Sequence, residues 1–371
     1  MPVRVAILGS GAGALAVAAD LARAGHQPVL SDLPEFIDNL DTVRDRGGVT
    51  VLSEWHGAHI ATVDVADNVA SAVHGAELVI VVVPCFGHQP FADTLAPLLV
   101  DGQALVFFGE GSGAIVARRA LMDAGKDGVL VGEANTLPYL ARPAGAGSVT
   151  AFRKSGGVLL SGLPSTDTTA LLDLTLDTWP YLTPAVSVWE TVLLNYNAID
   201  HVATMVGSAS TLENRSGGML LWGEGATPAV VRVIEAVDAE LYAIRLALGM
   251  TDTLRYRDLL IAQGFAPDIS PDLYETIRAS RLIQGYAPTA ADGGLNTRYL
   301  TEDVPYALVL AASIGNAVNV ETPVVDGLIA ITSAMLDTDF AGEGRTLESL
   351  GLGSLGTAGL RRFSATGEFP D

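Results

Sequence analysis

The opening of the chain already restricts what it can fold into. An apolar run at residues 3–8 (Val3, Val5, Ala6, Ile7, Leu8) passes directly into GSGAGA at residues 9–14. Gly9, Gly11 and Ala14 satisfy the spacing G-x-G-x-x-G/A. That spacing puts one small residue at a sharp turn, one where the backbone must be closely approached, and one where a helix packs tightly on a strand. Leu15, Val17, Ala18, Leu21 and Ala22 then recur at helical spacing, Gly25 stops the helix, and residues 28–30 resume a strand. The pattern predicts a βαβ unit.

Two further apolar runs, 78–83 and 104–108, read as buried strands with a helical segment at 91–99 between them, and residues 128–132 and 157–160 add later strands. Alternating units of this kind are expected to close into a parallel sheet covered on both faces. Beyond Pro180 and Pro184 the strand runs stop, and helical periodicity takes over at 188–210, 228–248, 273–282, 304–317 and 322–336. The expected architecture is an α/β N-terminal Rossmann-type dinucleotide-binding domain, residues 1–184, followed by an all-α C-terminal substrate domain, residues 185–371. Residues 364–371 have the polar, Gly- and Pro-containing character of a frayed terminus.

Composition removes several function classes. Of 371 residues, 42 are acidic and 21 basic, a formal net charge of −21, so the surface as a whole repels phosphate backbones and anionic lipid. Nucleic-acid and membrane partners are not expected. The one cysteine, Cys85, can form neither an internal disulfide nor a cysteine-based zinc cage, and no metal is expected. The longest apolar run, 78–86, is too short to span a bilayer, and MPVRVAILG shows no leader pattern. These features lead us to expect a soluble cytoplasmic protein.

The glycine turn opens a helix whose unpaired N–H groups and positive dipole end favour an anion, and Asp32 follows 21 residues after Gly11, at the end of the next strand. The site expected from this is a dinucleotide cradle formed by Gly9, Ser10, Gly11, Ala12, Gly13 and Ala14. Asp32 would accept the ribose hydroxyls and repel a 2′-phosphate, which favours NAD(H). Ser31, Arg44 and Arg46 lie close enough in sequence to keep NADP(H) open, and a plain turn carboxylate is the simpler reading of Asp32. Pro84 and His88, in VVVPCFGH after the strand at 78–83, are expected to border the nicotinamide, with a solvated loop histidine as the alternative for His88.

Of six histidines (His26, His56, His59, His74, His88 and His201), only His201 falls in the helical half. Asn197, His201, Thr204 and Ser208 share one stripe of an otherwise apolar helix, which suggests a wetted face. An imidazole there can donate a proton and take it back, because its unperturbed pKa of about 6.5 lies near working pH. A satisfied structural histidine is the competing reading. The chain carries 19 arginines and only two lysines, Lys126 and Lys154, so a helical-domain lysine plays no part in the chemistry. LNTRYLTEDVP, residues 295–305, supplies Arg298, a planar fork suited to a carboxylate, and Asp303, able to orient and charge-stabilise an imidazolium. The alternative makes Arg298, Glu302 and Asp303 a charge cluster at a helix start.

Eight ordered segments across both halves carry a likeness: GSGAGALA, VVVPCFGH, GEANTLPY (132–139), NAIDH (197–201), WGEGATP (222–228), VDAE (237–240), LNTRYLTEDVP and LDTDFAGEGRTLESLGL (336–352). The chain resembles the opine dehydrogenase family over nearly its full length. The resemblance implies an NAD(P)H-dependent oxidoreductase that condenses an amino acid with a 2-oxo acid such as pyruvate and reduces the imine to a secondary amine. It implies that His201 is the catalytic histidine and Asp303 its partner. It further implies that Arg298 grips the substrate carboxylate and that Asn197 is the family's asparagine one turn before the histidine. Asn197 and Thr204 of the polar stripe are expected to line the substrate site, and Glu133 of GEANTLPY to lie with the cofactor. Val202 stands where relatives often carry proline. On this reading His201, kept protonated by Asp303, donates to the carbonyl oxygen as the amine attacks. Reduction of a 2-oxo acid or preformed imine without condensation stays open, as does a non-catalytic nucleotide sensor. A homodimer stays open as an assembly, and the amino donor and product stereochemistry are not set by the sequence.

Overall fold

The computed structural model describes residues 2–53, 57–109, 111–175, 177–215, 218–285 and 293–370. His56 lies outside them. The chain divides into two compact units, Met1–Thr191 with Ser364–Gly367, and Val192–Phe363 with Glu368–Asp371.

The first unit is built on twelve strands: β1 Arg4–Leu8, β2 Gln27–Ser31, β3 Gly48–Ser53, β4 Gly57–Thr62, β5 Asp64–Val65, β6 Leu78–Val81, β7 Ala104–Phe108, β8 Leu130–Ala134, β9 Tyr139–Pro143, β10 Ser148–Arg153, β11 Val158–Gly162 and β12 Leu182–Pro184. Eight of them form one sheet in the order β12-β11-β8-β7-β6-β1-β2-β5. After β1 the chain moves outward to β2, and later it returns to lay β6 on the other side of β1, with Ile7 opposite both Leu30 and Ile80. That reversal makes the carboxyl ends of β1 and β6 the switch point, where sheets of this type bind ligands. Strands β1, β6 and β7 are apolar on both sides and buried throughout apart from half-buried Arg4, as expected for a sheet covered on both faces.

Two expectations need correction. The sheet is mixed, because β11 runs antiparallel to β8, with Leu160 opposite Ala134, and β12 is parallel to β11. An apolar run shows that a strand is buried but not which way it points. The second correction is a separate four-stranded sheet, β4-β3-β10-β9, that was not anticipated. Its strands alternate buried and open residues over only a few positions, and several of its apolar side chains are shared with the helix that follows the glycine turn. That helix, Ala12–Arg23, is buried continuously from Ala14 to Leu21. Val49, Val51, Val149 and Ala151 join Leu15, Ala18 and Ala19 in one core. Four alanines at 14, 16, 18 and 19 keep the helix slim enough to be covered so extensively. The buried Asp20 in it is satisfied by Tyr139, whose Oη donates at 2.5 Å, and by Arg23 at 2.8 Å.

The second unit is helical. Its longest members are Tyr196–Asn214 and Pro228–Ala247, followed by Pro323–Leu336. The expected helix at 188–210 is broken in two, Val188–Leu193 and Tyr196–Asn214. Asn195 is extended, and its side chain accepts from the N–H groups of Asn197 (2.9 Å) and Ala198 (3.4 Å), so it caps a new helix instead of continuing the old one. Thr227 and Pro228 start the next long helix in the same way. The C-terminal segment is not frayed at its start. Ser364 is buried within the Thr357–Thr366 helix, and the Phe369 ring meets Phe363 edge-on at 5.0 Å. Among the described residues no helix is long and apolar enough to cross a membrane.

Candidate active site

In the first unit, the turn after β1 has the shape of a phosphate cradle. Gly9 sits at φ 129°, its N–H donates to Ser31 O at 2.9 Å, and Val82 N donates to Leu8 O at 2.8 Å. These bonds bring the turn so close to the strand end that a Cβ on Gly9 would lie 2.4 Å from Val82 O. Gly11 is different. It is exposed, and a Cβ there would meet nothing within 4 Å. The Ala12–Arg23 helix that begins here has neither a capping side chain nor an acidic residue in its first turn. Its leading N–H groups are therefore left to an anion from outside the helix, and the residues present fit the pyrophosphate of a dinucleotide. Ala12 and Gly13 are half-buried in that first turn, Ala14 is buried beneath it, and Ser10 Oγ accepts from Asn39 Nδ2 at 3.1 Å.

Asp32 directly follows β2 and is nearly covered, its Oδ1 accepting from Leu33 N at 2.8 Å. Burial pushes its carboxyl above the usual range, against donors from Ser10 and Leu33 that favour the ionised form. The two neighbouring arginines are engaged. Arg44 pairs with Asp41 and lies 3.9 Å from Asp67, while Arg46 donates to Thr50 Oγ1 at 2.6 Å and Gly147 O at 3.1 Å.

Three of the expected contacts, His88, Glu133 and Thr204, are buried in the structure. Pro84 is half-buried just beyond β6, but His88 is buried, its ring edge-on to Phe107 at 5.1 Å. A ring covered in this way packs the first turn of its helix and offers a ligand almost no surface. Glu133 is likewise engaged within the protein. Its Oε2 accepts from Ala114 N at 2.9 Å and its Oε1 from Thr191 Oγ1 at 2.9 Å, both inside the first unit. The Gly113–Asp123 helix starts from Ser112 without a side-chain cap, so the distant Glu133 carboxylate serves its N-terminus. Glu133→Ala is expected to cost about 1–3 kcal/mol, read as a lower urea midpoint, with NADH affinity unchanged. Thr204 is fully buried, and its hydroxyl donates to Asp200 O at 2.6 Å, a bond inside its own helix.

In the second unit, the polar residues named from sequence do converge. His201 Nδ1 lies 2.8 Å from Oδ2 of Asp303, although the two are 102 positions apart. The imidazole side chain is 9% exposed. Tyr299 stacks on its face at 4.1 Å, and Trp222 stands beside it at 5.7 Å. Burial pushes the Asp303 carboxyl well above its ordinary range, and neighbouring Glu302 and Asp200 push the same way, while Arg298 opposes them. Asn197, one turn before His201, is half-buried at the start of the helix. Arg298 remains 65% exposed and pairs through Nε with buried Glu302.

Sequence reasoning missed the aromatic walls Tyr299 and Trp222, and it missed Asp200. This aspartate is fully buried, with Oδ2 accepting from Trp222 Nε1 at 2.7 Å and Tyr256 Oη at 2.6 Å. A carboxylate between Ile199 and Val202 on the apolar side of a helix was the available signal, since such a group must find donors inside the fold.

Residues 184–336 match the model for the NAD/NADP octopine/nopaline dehydrogenase alpha-helical domain, and residues 5–135 match that for ketopantoate reductase PanE/ApbA. An opine dehydrogenase from Arthrobacter sp. (strain 1C) is 32% identical, over 96% of this chain and 97% of the relative. Two solved structures of octopine dehydrogenase share the fold. The one with NADH and L-arginine superposes at a TM-score of 0.80 with 20% identity, covering 100% of this chain and 99% of that one. The one with NADH and pyruvate gives 0.79 with 21% identity and the same coverage.

Proposed function

The chain belongs to the opine dehydrogenase family, and on that premise we propose that it condenses the amino group of an amino acid with a 2-oxo acid, such as pyruvate, and reduces the product to an N-(carboxyalkyl) amino acid. The observation that carries this reading is the pair formed by His201 and Asp303, an imidazole held at Nδ1 by a buried carboxyl at 2.8 Å. Condensation requires a proton for the carbonyl oxygen as the amine attacks and another as that oxygen leaves as water. His201 donates the first from Nε2, takes back the proton that the attacking nitrogen loses, and returns it to the hydroxyl that leaves as water, with Asp303 holding Nδ1 and the ring orientation. Tyr299, stacked on the ring, limits its rotation. Bound nicotinamide cofactor supplies the hydride that reduces the imine carbon.

The cofactor is held by Gly9, Gly11 and the first-turn amides of the Ala12–Arg23 helix. NAD(H) is favoured over NADP(H), because Asp32 directly follows β2 and the neighbouring Arg44 and Arg46 are committed to protein partners. Arg298 binds the 2-oxo acid carboxylate through its exposed guanidinium. Arg298→Leu is expected to raise the KM for the 2-oxo acid about 10–100-fold, the worth of a charge-assisted pair at about 1.5–3 kcal/mol, with NADH affinity unchanged. An unchanged KM removes Arg298 from the substrate site. The reaction takes place in the cytoplasm.

The function is tested with a grid of amino acids against 2-oxo acids, following NADH absorbance and the mass of the product. NADH loss that needs both partners and yields a secondary amine is the expected result. Oxidation with pyruvate alone would identify a simple 2-oxo acid reductase, and no oxidation with any pair would overturn the proposal.

A further inference from the structure

One buried carboxyl beside His201 has no part in the chemistry above. Asp200 is fully buried and belongs to the same helix, yet its two oxygens are treated differently. Oδ2 accepts from both Trp222 Nε1 and Tyr256 Oη. Oδ1 has no hydrogen-bond partner among the described residues, and it lies 3.9 Å from Nε2 of His201. That nitrogen is the one opposite the position held by Asp303. A buried oxygen left unpaired is unfavourable by itself, and folding retains it here beside the ring nitrogen assigned to proton transfer.

We infer that Asp200 is a positioning residue that keeps the proton on Nε2 of His201, acting through its field from the side opposite Asp303. The inference rests on His201 being the proton donor in the proposed reaction. At 3.9 Å the carboxylate is too far to capture the N–H as a hydrogen bond, so the proton stays available to substrate, but it is close enough to favour the charged ring. Through Oδ2 the same group grips Trp222, whose indole stands beside the imidazole.

The surrounding charges are Asp303 and Glu302 with Arg298 from residues 298–303, and Tyr256 on the Tyr256–Ala262 helix with Tyr196 and Asp238 near it. On the Trp222 segment, Glu224 is exposed and paired with Arg215. Burial raises the Asp200 carboxyl, while His201 and the two donors pull it back down.

Asp200→Asn separates the field from the clamp, because the amide oxygen still accepts from Trp222 and Tyr256 while the charge facing Nε2 is lost. With folding checked by circular dichroism and NADH binding by fluorescence, the high-pH limb of the kcat profile is expected to move down by about one unit or more. Turnover on the alkaline side then falls about tenfold, since one unit leaves about a tenth of the protonated ring. Tyr256→Phe removes one donor and keeps the charge facing Nε2, so its high-pH limb is expected to stay where the wild-type limb lies. A folded Asp200→Asn enzyme with the wild-type profile overturns the inference. If that variant does not fold, Asp200→Ser, which also removes the charge while its hydroxyl can accept from Trp222 or Tyr256, takes its place, and an unmoved high-pH limb there overturns the inference. Loss of activity in His201→Asn together with a wild-type profile in the Asp200 variant defeats this inference alone, whereas full activity in His201→Asn defeats the parent reading.

Discussion

His201→Asn is expected to lower kcat by about 10²–10⁴-fold, the usual contribution of a positioned general acid, while NADH binds as before. Asparagine is the informative replacement because its amide can still donate to Asp303, so the buried carboxyl keeps a partner and the loss is confined to the titrating ring. The nucleotide cradle belongs to the first unit and the histidine to the second, which is why cofactor affinity should not follow turnover. A residual structural effect is expected, since Tyr299 loses the ring it stacks on at 4.1 Å, and thermal melting measures it independently of rate. Turnover equal to wild type in a folded protein would remove His201 from the reaction.

The second large effect lies in the glycine turn, where two substitutions two residues apart should have opposite consequences. Gly9→Ala places a methyl 2.4 Å from Val82 O and 3.2 Å from Val83 Cγ1, at a φ of 129° that side chains rarely adopt. The carbonyl cannot retreat easily, because the N–H of Val82 is tied to Leu8 O at 2.8 Å. Strain and overpacking together should cost about 3 kcal/mol or more, a fall in Tm of about 6–12 °C, and NADH binding is lost with the turn geometry. At Gly11 φ is −77° and the space is open, so Gly11→Ala should leave Tm unchanged while weakening NADH, because the methyl occupies room that the phosphates need. If Gly11→Ala bound NADH like the parent, the cradle would not be the cofactor site. If Gly9→Ala melted like the parent, the close approach to Val82 would be wrong.

How much of the site can be read from the chain alone differs between its halves. The turn, the helix that follows it and Asp32 were legible because they are consecutive: a φ near 129° demands glycine, and an apolar run followed by helical spacing admits few alternatives. The surroundings of Glu133 and His88 were not legible, for the opposite reason. Both sit beside motif residues in the sequence, but the carboxylate turns toward Ala114 and Thr191, and the imidazole packs against Phe107. Proximity in sequence says where a backbone passes, not which way a buried side chain turns.

The amino-acid sequence by itself determined the βαβ opening, the helical second half, and the residue types available for proton transfer, because these follow from local conformational preference and from composition. Only the tertiary structure decided that Asp303 meets Nδ1 of His201 across 102 positions, that Asp200 faces the other nitrogen, and that β11 enters the sheet reversed. Such contacts depend on how whole helices and strands pack to bury their apolar faces, a sum over many weak interactions that no short stretch of residues encodes.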